Sequence, residues 1–407
     1  MSSVIPTETT ELYRTFDQYR TPLDARGKPF AYWETFQRAI ARDNAYVGWS
    51  DSFGGFWVIT GWEEARQVFR DPKNFTNKTW QIPVLTTPSG RPLMLLGYDA
   101  QEHAKYRRLV QPAFNMPSVA GMYDDFLLDA RAIIASFADL DRVDLAKDFA
   151  TKIPHMLFAR FTGLPVEEAT KFGPWVHAVT HSSGLGEDNS ADLLDMNERF
   201  DQLLAERRKN PSDDIMSKLV TSGQVDGKDL TYDDLLDYFT VFLVGTIENT
   251  ALILGDACWL FATRPELRQE LKGNPELMEP FVDELLRYFS PSAGSARMVM
   301  TDTELGGVTM KAGDSLLVYL PLVDRDTREF DDPFAFDIHR GKNRHFALGN
   351  GPHRCLGASI VRVEIIAVLQ ALLEDMRPFS LDPEQPITWT PGGAAGMTSV
   401  PVVFGDR

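Results

Sequence analysis

At 407 residues the chain can bury a large core, and on length alone could hold two or three domains. Its 58 acidic side chains outnumber its 41 basic ones, a net charge of −17, which argues against nucleic acid or an anionic membrane as main partner. Two cysteines, Cys258 and Cys355, are too few for a disulfide framework and fit a reducing compartment.

The opening Met1-Ser2-Ser3-Val4-Ile5-Pro6-Thr7-Glu8 lacks the basic and apolar regions of a signal peptide. No run approaches the roughly 18 apolar residues of a membrane span, so a soluble, cytoplasmic protein is expected. Apolar residues recur at helical spacing from Phe30 to Arg42. From Trp49 to Thr60 the pattern turns to alternation, with Gly54-Gly55 ahead of the β-formers Phe56-Trp57-Val58-Ile59. Glu63 to Phe69 reads as a helix stopped by Asp71-Pro72. A sheet-containing N-terminal lobe over about residues 30–75 follows.

Residues Thr76 to Gly97 are irregular and rich in proline and threonine, a length that often marks a binding lid. Trp80, Ile82 and Leu85 on it either line a pocket or tuck the loop onto the surface. In the helical segment Glu102 to Arg108, His103 and Arg107 share a face. A surface helix with mixed charge is the plain reading of that spacing; Arg107 can pair bidentately with a carboxylate. Ser118 to Ser222 is helix-rich, with loops at Gly163-Leu164-Pro165 and Ser182-Ser183-Gly184. Trp175, Ala178 and Val179 form an apolar stripe, either plain core or a pocket roof. With no repeat, linker or low-complexity stretch, residues 1–407 are expected to form a single domain, mainly α with small β-sheets.

Thr231 and Asp234 make a capping box, and the helical pattern then runs about thirty residues to Thr263, before Arg264-Pro265. Nearly every position from Phe239 to Gly245 is apolar, so this helix is buried all round. Glu248, Asn249 and Thr250 are therefore anomalies, since buried polar groups cost several kcal/mol unless partnered. Gly245 and Thr246 ahead of them can loosen the helix hydrogen bonds. Further on, Glu284 and Arg287 lie three apart on one helix face, and Ser290 to Arg297 leads into alternating β-formers.

His345-Phe346-Ala347-Leu348-Gly349-Asn350-Gly351-Pro352-His353-Arg354-Cys355-Leu356-Gly357 carries the remaining cysteine into a periodic apolar segment, Ala358 to Leu373. The glycines allow tight geometry and close approach to a flat partner. Cys355 sits at a helix mouth, where free amides favour a thiolate. A lone cysteine is also commonly a small buried hydrophobe. Zinc needs about three further ligands and no other cysteine is near, whereas a haem iron needs only one protein ligand on this side.

The stretch resembles the haem-thiolate signature of the cytochrome P450 family, F-x-x-G-x-[RH]-x-C-x-G. Gly351, His353, Cys355 and Gly357 match; Leu348 stands where the family has its aromatic, and Phe346 is two positions early. Gly245 to Thr250 likewise resembles the family's [AG]-G-x-[DE]-T-T on the helix over the distal haem face, with Thr246 for the second glycine and Asn249 for the first threonine. The resemblance covers almost the whole chain. It implies the P450 fold around a buried haem b, a haem loop at 345–358, Cys355 as iron ligand, and His103, Arg107, Arg297 and His353 at the haem propionates. Glu248, Asn249 and Thr250 become the oxygen-activating group. Glu284 and Arg287 become a structural pair completed by His339 or Arg340.

Substrate contacts implied by the resemblance and by small or apolar residue type are Trp80, Ile82, Trp175, Val244, Gly245, Ala293, Ser295, Ala395 and Met397. Within the family the asparagine, with Asp17 to Leu23, Val47 to Ser50 and Ala395-Gly396-Met397, is similar to the bacterial hydroxylases of the monoterpene ether cineole. The expected activity is hydroxylation of a small apolar substrate with O2 in a bacterial cytoplasm. Electrons would come from a ferredoxin or flavodoxin with an NAD(P)H reductase, docked near Arg108, Arg344 and Arg354. O-demethylation of small aromatic ethers is the alternative within the class, and a non-catalytic haem sensor the alternative outside it.

Overall fold

In the computed structural model, residues 8–24, 27–84 and 89–405 are described; Leu85 and the first seven residues lie outside them. The predicted first helix spans Phe30–Asp43, and Trp62–Arg70 follows the hairpin of Val47–Ser50 with Phe56–Ile59. That hairpin is not a sheet made by the N-terminal lobe alone. Phe56–Ile59 pairs in parallel with Ser315–Tyr319, which pairs antiparallel with Gly294–Val299, and Phe75–Thr76 closes the far edge. Three of the five strands come from the first eighty residues and two from the last third, a pairing that local periodicity does not encode.

The long helix forms as the sequence indicates, from Tyr232 to Thr263. Thr231 Oγ1 accepts from the Asp234 backbone N–H, and the Asp234 carboxylate accepts from the Thr231 N–H at 2.9 Å, so two otherwise orphaned donors are satisfied. Phe239, Leu243 and Ile253 are fully buried, each contributing roughly 1.5–3 kcal/mol. By length and composition this helix is apolar enough to cross a membrane, contrary to the expectation that no run is. Yet 67% of its most apolar window is buried, so its hydrophobicity is spent on core packing. The helices Lys152–Thr162 and Phe172–Thr180 pack on one side of it.

The helix after the cysteine runs Ala358–Asp375 and lies against Tyr123–Ser136. Two segments read as loops hold short helices, Met94–Gly97 and Ser182–Leu185. Arg142–Asp144, unnoticed in the sequence, is a strand paired with Pro401–Phe404. The sheet, the long helix and the cysteine helix line a common cavity.

Candidate active site

The cysteine loop is held by geometry that starts at its glycines. Gly351 has φ +70°, and a Cβ there would stand 2.2 Å from the Phe69 carbonyl oxygen, so only glycine fits between this loop and the Trp62–Arg70 helix. Leu348 O accepts from the Cys355 N–H at 2.8 Å, closing the loop on itself. Phe346 stacks on Trp62 with centroids 4.9 Å apart, and its N–H donates to buried Asp324 at 2.7 Å. The early aromatic therefore anchors the loop from behind, while Leu348 faces the cavity beside the sulfur. Cys355 is exposed, but to the cavity. Enclosure pushes its thiol pKa up, against which the Gly357 N–H and the Arg107 and Arg354 guanidiniums pull it down. The helix-mouth expectation of a ready thiolate is thus corrected: in the protein alone, burial outweighs the donors.

Four basic side chains gather at one edge of the cavity, with the Asp99 carboxylate acting on His103 and Arg297 without pairing to either. Among the described residues no carboxylate forms an ion pair with Arg107 or Arg297. Arg297, 5% exposed, donates to Ser295 Oγ and the Ala296 carbonyl, and burial lowers its pKa to about 10. His353 is lowered to about 3 by burial and then by His103 and Arg297. His103, stacked on His353 at 4.0 Å, is lowered to about 4 by burial and Arg107, and its buried Nε2 has no partner. Arg107 is lowered by burial as well. Both histidines are then neutral, and the two guanidiniums are the charges here; buried cations with no paired carboxylate are costly, so Arg107 and Arg297 suit an anionic group at this edge. His103 itself stands behind His353 rather than on the wall.

Across the cavity, the long helix stays helical through its polar residues, contrary to the expected loosening; the Thr246 hydroxyl donates to the Phe242 carbonyl within it. Gly245 has open space beside it. Glu248, Asn249 and Thr250 all reach the wall. Among the described residues the buried Oδ1 of Asn249 has no hydrogen-bond partner. Glu248 Oε1 meets His181 Nε2 at 2.5 Å, and Oε2 accepts from Thr180 Oγ1 at 3.2 Å.

Of the substrate-contact residues, Trp80, Val244, Gly245 and Ser295 line the cavity. Ile82, Trp175, Ala293, Ala395 and Met397 do not. Ile82 is buried in the core, with its carbonyl accepting from Gln18 Nε2 at 2.6 Å. Trp175 faces the opposite core, its indole N–H donating to Asp195. The N–H groups of Ala293 and Ala395 donate to the carbonyls of Gly393 and Pro291, and that of Met397 to the Asp256 carboxylate, while their neighbours Ser292, Gly294, Gly393 and Ala394 line the cavity instead. Gln18, His181 and Glu364 went unnoticed. Glu364, fully buried on the cysteine helix with neither oxygen partnered and its pKa pushed up to about 8 by burial, had a signal: a carboxylate amid apolar residues.

Glu284 and Arg287 are both fully buried and pair bidentately at 2.7 Å. Arg340 Nε reaches Glu284 at 3.2 Å, whereas His339 turns outward to Glu270 at 2.9 Å. Arg340 is therefore the third partner, and His339 is not. Arg287 also donates to the carbonyls of Asp324, Pro333 and Ala335, tying down the segment that leads to the cysteine loop.

A sequence model of the family described as Cytochrome P450 matches residues 191–401. Mycinamicin IV hydroxylase/epoxidase of Micromonospora griseorubida is 31% identical over 360 residues, covering 86% of this chain and 89% of that protein. Cytochrome P450 monooxygenase PikC of Streptomyces venezuelae is 28% identical, covering 93% of each. The crystal structure of CYP101J2 superposes with TM-score 0.84 at 24% identity, over 99% of this chain and all of that one, which speaks for the fold.

Proposed function

Because the chain belongs to the cytochrome P450 family, a haem-thiolate monooxygenase with haem b as its cofactor, we propose that it hydroxylates a small apolar molecule carrying one or two oxygens, a monoterpenoid ether such as cineole. Fit to the cofactor is supported by the guanidiniums of Arg107 and Arg297 at one cavity edge, which suit carboxylates, and by the Cys355 sulfur opposite the long helix. Cys355 would hold the iron, and Arg107, Arg297 and His353 the propionates, with His103 supporting His353 from behind. When bound, the haem supplies the oxygen chemistry, which a thiolate ligand pushes toward O–O cleavage.

The chain's own residues supply position and protons. Glu248 holds a carboxylate at the cavity wall, where it can pass protons inward. Asn249 carries the substrate reading: its side-chain oxygen is unpartnered on a wall that it shares with the apolar Val244, Gly245, Ile253, Leu317 and Ala394. An unpartnered amide there can serve as a polar anchor for a substrate oxygen. Electrons would arrive from a ferredoxin or flavodoxin at the exposed Arg108 and Arg354 beside the cysteine loop. Arg344 is a weaker contact than its sequence position suggests, since Glu329 holds it at 2.7 Å and it lies over Trp62.

A panel read by the Soret shift tests the substrate. Cineole-like terpenoids are expected to shift the band; no terpenoid shift together with a shift by long fatty acids would overturn the reading, and a shift by aryl ethers alone would move it to O-demethylation. Asn249→Ala is expected to lower product per O2 less than about tenfold, under ~1.4 kcal/mol, because Glu248 rather than the amide carries the proton. Near-total diversion of oxygen to peroxide in that variant would refute this.

A further inference from the structure

The Glu248 carboxylate is tied to a titratable side chain that leads outward. His181, 5% exposed, meets it at 2.5 Å from the turn that ends the Phe172–Thr180 helix. On its outer side the His181 ring stacks on His177, centroids 5.4 Å apart and planes 13° apart. His177 Nε2 pairs in turn with Glu187 Oε2 at 2.6 Å, and both of those side chains are 48% exposed. An ionisable series, Glu187, His177, His181, Glu248, thus runs from the surface to the cavity wall. The ring's seat is made by Gly392, at φ +143°, where a Cβ would lie 2.9 Å from two ring atoms. Tyr19 meets the ring edge-on at 6.4 Å, and its hydroxyl accepts from Gln81 at 2.7 Å. These are the titratable groups that face His181; the strand-side segment Pro391-Gly392-Gly393-Ala394 brings no charge.

We propose that His181 is a positioning residue that recharges Glu248 with the protons the cavity consumes, drawing them from solvent past His177 and Glu187. This rests on the reading of Glu248 as the inward proton carrier. In the step, the Nε2–H bond of the imidazolium breaks and an O–H bond forms at Glu248 Oε1. One proton moves and no electron does, leaving neutral imidazole and neutral carboxyl. Solvent then returns a proton to His181. Burial works against the imidazolium, but the Glu248 hydrogen bond and charge, helped by Glu187, raise the His181 pKa above its ordinary value. The charged form is therefore present at low pH and is lost as pH rises through that raised pKa. Proton supply should fail on the basic side.

Two measurements test this on the holoenzyme. The chain has only 7 histidines, so ring 15N resonances of histidine-labelled protein, in the diamagnetic ferrous carbonyl state, can be assigned. His181 is expected to titrate above the usual ~6.5 and to drop in Glu248→Gln. Titration at the ordinary value, unmoved by Glu248→Gln, would overturn the proposal without reference to any substrate. Product per O2 is then followed with cineole between about pH 6 and 9. Wild type should decline on the basic side, whereas His181→Gln should be lower by up to about a hundredfold near neutrality and flat with pH. A uniform loss that keeps the wild-type pH profile would mean a merely structural role and sink the idea. If Glu248→Gln leaves product per O2 unchanged, the reading of Glu248 fails. If Glu248→Gln is impaired while His181→Gln matches wild type, the recharging role alone fails.

Discussion

Cys355→Ser is expected to abolish monooxygenation and the thiolate form of the reduced carbon monoxide difference spectrum, with the fold left in place. A serine hydroxyl has nearly the same shape, so the loop bonds from Leu348 O and the packing of Phe346 on Trp62 survive. What is lost is the ability to carry negative charge. The thiol can become an anion once an iron takes the place of its proton, helped by the Gly357 N–H, Arg107 and Arg354; a serine oxygen stays neutral near pH 7. No second thiol can substitute. Cys258 is 1% exposed in the core of the long helix, and burial pushes its pKa far up. Haem content, the carbon monoxide spectrum and product formation check the expectation together. An unchanged spectrum with serine at 355 would remove Cys355 as the ligand.

What the sequence could reveal followed from how local each signal is. The cysteine loop was legible because its constraints lie within thirteen residues: glycines where the backbone must turn left-handed or touch Phe69, and a cysteine just ahead of a helix. The long helix was legible from its capping box and apolar run. Choices between neighbours were not. Arg340 rather than His339 completes the Glu284 pair because the turn at 337–340 aims one inward and the other at Glu270. Trp80 lines the cavity and Trp175 does not, although both are aromatics on plausible segments. Their difference lies in Asp195, which holds the Trp175 indole in the opposite core. The His181 contact with Glu248 joins positions 67 apart, and nothing near either residue announces the other. Sheet partners from the two ends of the chain were hidden for the same reason.

Glu284→Gln should destabilise the protein by about 3–5 kcal/mol, the range for removing one partner of a buried ion pair. That is a large part of the ~5–15 kcal/mol that holds a typical protein folded. Glutamine keeps the volume and can still accept from the Asp337 N–H, now 2.9 Å from Glu284. It cannot neutralise Arg287, which is 0% exposed, nor Arg340 behind it. Both guanidiniums would be left charged in a site closed to water. The damage should travel along the chain. Arg287 also fastens the carbonyls of Asp324, Pro333 and Ala335, and Asp324 receives the N–H of Phe346 at the start of the cysteine loop. The variant should therefore lose haem more readily as well as unfold earlier. Because the pair's two members are costly chiefly when separated, Glu284→Met combined with Arg287→Met should unfold later than either single change. Denaturant unfolding with haem content monitored in parallel measures both effects. A wild-type midpoint for Glu284→Gln would show that the pair does not hold the loop, and a double variant weaker than both singles would show that Arg287 acts through its carbonyl contacts and not through the charge pair.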